Sequence, residues 1–112
     1  MGTSKRLAPL YDKYAAHKAI RVAAAAGPLQ SLTRAELSLD RHPMTIYPRA
    51  LQRHVRAWVR FGPEAVCVDA RLLRSTGLAA GIEFKADDQV YRCWVWGNAV
   101  TVVDDDETGA RR

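Results

Sequence analysis

From His54 onward apolar and polar residues alternate with a period of two. Between Pro9 and Ala26 the apolar residues instead spread over two neighbouring faces of a helix, Leu10 and Tyr14 on one and Tyr11, Ala15, Ala19, Val22 and Ala26 on the other. The switch divides the chain. His54 to Phe61 reads as a strand that Gly62-Pro63-Glu64 turns back, and Ala65 to Leu73 sets Val66, Val68, Ala70 and Leu72 against Cys67, Asp69 and Arg71. Ser75-Thr76-Gly77 ends that strand. Ala79 to Phe84 forms the next, with Ala80, Ile82 and Phe84 on one face and Glu83 on the other, and Ala86-Asp87-Asp88 supplies the turn before Val90 to Trp96. Gly97-Asn98 breaks the run, and Ala99 to Val103 makes a short fifth strand.

The N-terminal stretch from Pro9 to Ala26 is rich in Ala, Leu, Lys and Arg, with Pro9 suited to a first turn and Gly27-Pro28 to an ending, so it predicts a helix. Leu10, Tyr14 and Ile20 or Val22 are the residues it would bury. Thr33-Arg34-Ala35-Glu36 has the form of a capping box, in which Thr33 and Glu36 satisfy opposite backbone amides at a helix start, and predicts a short second helix through Leu37 or Leu39. Pro43 and Pro48 exclude a regular helix between Asp40 and Gln52. The expected organisation is a helical segment at 1–39, an extended connector at 40–53 carrying Arg41, Arg49 and Arg53, a small β-barrel at 54–103, and a disordered acidic tail at 104–112. The fold class expected is α+β: the N-terminal helix and short second helix packed on a five-stranded antiparallel small barrel or bent sheet.

Residues 54–103 resemble a Src-homology or Tudor-type small β-barrel, in strand count and in the tight turn that leads into a closing strand, here Trp96-Gly97-Asn98-Ala99-Val100. The resemblance implies a fold only. The aromatic cluster of the peptide-binding members has no residue-by-residue counterpart, so it carries no binding residues across.

At 112 residues and 48% hydrophobic, the chain has enough apolar content for one modest core. No run approaches the roughly 18 uninterrupted apolar residues of a membrane span, and Met1 to Arg6 leads into a charged helical segment, so the expectation is a cytoplasmic protein without membrane contact. Cys67 and Cys93 are too few for a disulfide framework, and strand parity places them on opposite faces. The net charge of +5 is uneven: +6 over residues 1–53, +1 over 54–103 and −2 over 104–112. A basic surface is the electrostatic footprint of a nucleic-acid binder, although a high-GC coding sequence also enriches Arg and Ala.

The strongest candidate chemistry lies in two similar segments, Arg56-Ala57-Trp58-Val59-Arg60-Phe61 and Tyr91-Arg92-Cys93-Trp94-Val95-Trp96. As strands they put Arg56, Trp58 and Arg60 on one face and Arg92, Trp94 and Trp96 on another, both directed away from the core. An uncovered Trp forgoes up to about 5 kcal/mol, taking roughly 200 Å² at about 25 cal/mol per Å². Such a face is therefore expected to be covered or used. Cover would come from the Ala-rich helix packing across it with the Arg stems around the rim. Use would mean tryptophans stacking bases while Arg56, Arg60 and Arg92 track phosphates, or a protein partner, since Trp and Arg are enriched at interface hot spots.

Other chemistries find little support. His17, His42, His54, Cys67 and Cys93 form no close ligand pair, so no metal is expected. Cys93 can be paired with His54 on paper, but no orienting third group or oxyanion site accompanies them. Asp69, Glu83, Asp87 and Asp88 are expected to be solvated or paired with Arg71 and Arg74, and Gly81 to mark a close approach within a strand. The second helix is too short for a helix-turn-helix reader and lacks a polar recognition face. The resulting expectation is a non-enzymatic binding module without cofactor, with nucleic acid as the first ligand through Arg56, Trp58, Arg60, Arg92, Trp94 and Trp96. The alternative is a protein-interaction or assembly module using the same Trp/Arg patch, and the oligomeric state is not indicated.

Overall fold

A computed structural model of the chain describes residues 15–103. Helix α1 covers residues 15–24 and α2 is Arg34–Leu37; the strands are β1 (Thr45–Ile46), β2 (Arg53–Phe61), β3 (Glu64–Ser75), β4 (Ala79–Ala86), β5 (Gln89–Trp96) and β6 (Val100–Val102). The architecture is α+β, two helices with an antiparallel sheet. The expected start of the first helix at Pro9 and the expected disorder of the acidic tail lie outside the described residues.

The strands run in the order β5-β4-β3-β2-β6, with β1 pairing β3 off this path, so six strands replace the five expected and the sheet does not close on itself. The bend lies in β3. Its first part pairs β2 from Phe61↔Glu64 to Arg53↔Leu72, and its last part pairs β4 from Arg71↔Glu83 to Ser75↔Ala80, with a register shift between Leu72 and Arg74. A bulge there adds one residue and strengthens the local twist, turning the two halves of the sheet toward each other. The hollow side holds the core: Val55, Ala57, Val59 and Phe61 from β2, Val66 and Val68 from β3, Ile82 and Phe84 from β4, Cys93 and Val95 from β5. Phe61 meets Tyr91 edge-on at 5.3 Å, and Tyr91 stacks on Phe84 at 5.0 Å. This is the geometry that aromatic quadrupoles favour.

Ile20 and Ala23 of α1 are buried in that same core. The described part of the helix therefore covers the hollow of the sheet and not the tryptophan face, correcting the expected cover. Alternation explains the choice: the continuous apolar surface is the odd-numbered side of β2, and a helix with small side chains gains most by burying it. Two contacts fix its position. Arg21 donates to the Asp87 carboxylate at 2.8 Å, and the Gly27 backbone meets that of Gly62 where the helix leaves toward the β2–β3 turn.

Thr33 and Glu36 form the capping box as expected, with Glu36 N–H donating to Thr33 Oγ1 and Thr33 N–H to the Glu36 carboxylate. The connector is more ordered than an extended linker. It contributes β1 and a 3-10 turn at Arg49–Leu51, and Tyr47 pins it to β3 through N–H to Leu73 O and hydroxyl to Ser75 Oγ.

Candidate functional site

The six nominated residues all lie on the convex side of the sheet, but the bend and the ladder partners give them different roles. Trp58 and Trp96 are 57% and 42% exposed, and Trp94 is half-buried. β4 explains the difference. Ala79 and Gly81 stand opposite Trp96 and Trp94, and a Cβ added to Gly81 would lie 3.3 Å from the Trp94 ring and 3.4 Å from Arg74 Cβ. Gly81 thus makes room for the indole to settle against β4, with the stem of Arg74 on its other side. The expected close approach at this glycine is Trp94.

β2 and β5 are separated by two strands in the sheet order, yet Trp58, Trp94 and Trp96 line one open groove of about 700 Å³. The segment from Pro28 to Leu32 brings their edges into one structure. Gln30 N–H donates to Arg60 O and Gly62 N–H to Pro28 O, while Leu32 N–H donates to Trp94 O and Trp94 N–H to Ser31 Oγ. One side of this strap extends β2 and the other extends β5. Val59, Val95 and Ala99 also line the groove, together with Arg60 and Glu36. Neither strand propensity nor periodicity marks residues 28–32; the only sequence signal was that they connect two helices without being helical themselves.

The three arginines divide. Arg56 Nε donates to Asp69 at 3.2 Å and Arg92 Nε to Glu83 at 2.7 Å, each pair standing directly opposite across a ladder. These carboxylates were expected to be solvated or paired with Arg71 and Arg74. Asp69 is 74% exposed, and the arginines that meet Asp69 and Glu83 are their ladder partners, because register, not sequence proximity, chooses the partner. Asp87 likewise turns to Arg21, whose hydrogen bond holds its carboxyl below the usual range. Arg60 donates to Pro63 O at 3.1 Å and makes no salt bridge among the described residues. Because both partners of the Arg56–Asp69 pair are about two-thirds exposed or more, that pair is worth roughly 0–1 kcal/mol and a ligand anion displaces it at little cost, whereas Glu83 is only 20% exposed and holds Arg92 in place.

Cys67, exposed, faces Trp58 across the β2–β3 ladder, while Cys93 is buried and its thiol is pushed up to about 11 by desolvation. Opposite faces were expected from parity and are found. Among the described residues no three His, Cys, Asp or Glu side chains are grouped so as to hold a metal, and no helix is long and apolar enough to cross a membrane. Comparison with family models, curated proteins and solved structures finds no match to this chain.

Proposed function

We propose that the chain is a non-enzymatic binding module whose ligand is single-stranded nucleic acid, taken into the groove lined by Trp58, Trp94 and Trp96. The observation that carries this reading is the exposure of Trp58 and Trp96 on the walls of one groove. A folded domain leaves such surface uncovered at a cost of a few kcal/mol in hydrophobic burial, by the area rule at about 25 cal/mol per Å², so a bound partner is the economical explanation. Unstacked bases offer flat faces of matching chemistry, and each stack on an aromatic side chain contributes about 1–3 kcal/mol without demanding a sequence. Arg60 at the groove supplies charge for the phosphates, with Arg56 and Arg92 on the same strands as Trp58 and Trp94.

A protein-interaction module is the second reading, favoured by the carboxylate pairing of Arg56 and Arg92, which makes those two positions nearly neutral. Titration of the intact protein with a single-stranded oligonucleotide separates the two. Under our reading tryptophan fluorescence is quenched and Trp58→Ala weakens binding about tenfold or more while the variant still unfolds cooperatively, with a modestly lowered midpoint. Trp94→Ala lowers stability further, because its half-buried ring packs against Gly81. No quenching at low salt overturns nucleic acid as the ligand.

A further inference from the structure

Beyond the tryptophan groove, the convex face carries a second depression of about 450 Å³ between the 3-10 turn at Arg49–Leu51 and the outer sides of β3, β4 and β5. Arg49, Arg71, Lys85 and Arg92 line it, against the carboxylates of Asp69 and Glu83. Asp69 is already met by Arg56, which stands outside the lining, so the cleft holds an excess of positive charge. Arg49, Arg71 and Lys85 make no salt bridge among the described residues. Strand register assembles the cluster: Arg71 stands opposite Glu83 and Glu83 opposite Arg92 on successive strands, while Pro48 leads the connector into the turn that brings Arg49 over them.

A third depression joins this cleft to the groove. It shares Ser31 and Trp94 with the groove, and Gln52, Leu73 and Arg92 with the cleft, and Arg74 lies along it. The convex face therefore presents a continuous path, aromatic at one end and cationic at the other.

We propose that the cleft of Arg49, Arg71, Lys85 and Arg92 is a phosphate-binding site that takes the sugar–phosphate backbone of the strand whose bases stack at Trp58, Trp94 and Trp96, an assignment that rests on the function proposed above. Guanidinium forks match phosphate oxygens bidentately, and the lysine adds a compact point charge. Arg92 meets Glu83 through Nε, which holds its guanidinium at the cleft with the terminal nitrogens left for the anion. The cleft also accounts for charge that the groove does not use, since Arg60 is the only cation among the groove's lining residues.

The test uses inorganic tripolyphosphate, which has phosphates and no bases, titrated calorimetrically into the intact protein and into an Arg49→Ala, Lys85→Ala variant. Both substituted side chains are exposed, so the variant keeps its fold. Tripolyphosphate is expected to bind the unaltered protein without quenching tryptophan, to compete with the oligonucleotide, and to lose about tenfold or more in affinity in the variant. For the oligonucleotide, the slope of log affinity against log salt should flatten by roughly 1.4 in the variant, two phosphate contacts at about 0.7 each. Absence of tripolyphosphate binding, or equal affinity in both proteins, overturns the cleft. Loss of oligonucleotide quenching in the unaltered protein overturns the groove instead, so the two failures are told apart.

Discussion

At the scale of single residues, glycine decides where parts of this molecule can touch. Gly62 sits at φ 57°, and a Cβ there would lie 2.9 Å from Ala26 O and 3.0 Å from Gly27 Cα. Both conformation and space exclude a side chain, and the obstacles are backbone atoms that cannot step aside. Gly62→Ala is expected to cost about 2 kcal/mol or more, combining the left-handed strain with displacement of α1, and to lower the urea midpoint without changing the slope of the transition. An unchanged midpoint would mean that the β2–β3 turn and the helix exit are not in contact in solution. Gly81 works by the same exclusion in the opposite sense, leaving room for an indole. Its place inside a strand announced a close approach, but not that Trp94 makes it.

At the scale of elements, α1 is held to the β4–β5 turn through Asp87. This residue takes φ 56° in the two-residue loop, and its carboxylate accepts from Arg21 with His17 Nδ1 at 3.7 Å. Because the hydrogen bond from Arg21 lowers its folded-state pKa below the unfolded value, Asp87 contributes stability that is present above the ordinary carboxylate range. That contribution disappears as pH falls through the lowered value. The difference in urea midpoint between the unaltered protein and Asp87→Asn should therefore be largest near neutrality and shrink as pH falls below the ordinary carboxylate range. A difference independent of pH would assign Asp87 to the turn alone. The capping box at Thr33 and Glu36 was legible beforehand because its chemistry is complete within four residues. The strap at residues 28–32 was not, because its hydrogen-bond partners are supplied by Arg60, Gly62 and Trp94.

At the scale of the whole molecule, charge is arranged by face more than by sequence segment. The basic N-terminal half contributes Arg49 to the cleft, while Arg71, Lys85 and Arg92 come from a half whose net charge is only +1. Val103 N–H donates to His54 O, and His54 lines the cleft, so the chain leaves the last described residue at the edge of the cationic site. Residues 104–112 carry a net −2, and ending the chain at Val103 raises the total from +5 to +7. Truncation there is expected to tighten anion binding at low ionic strength, by a faster association rate, with the gain vanishing near about 0.5 M salt as screening shortens to a few Å. Surface plasmon resonance with an immobilised oligonucleotide reads both rates. Equal association rates at low salt would place the acidic run outside the field of the cleft.

Hydrophobic alternation alone determined that residues 54–103 form antiparallel strands, that Cys67 and Cys93 face opposite ways, and that the three tryptophans point out of the core. These are local consequences of a two-residue repeat with one buried face. The tertiary structure decided which apolar surface α1 covers, which arginine each carboxylate takes, and that Trp58 and Trp96 share a groove across the seam of the bent sheet. Those outcomes depend on strand register and on the bend in β3, and both arise only when residues distant in sequence pack against one another.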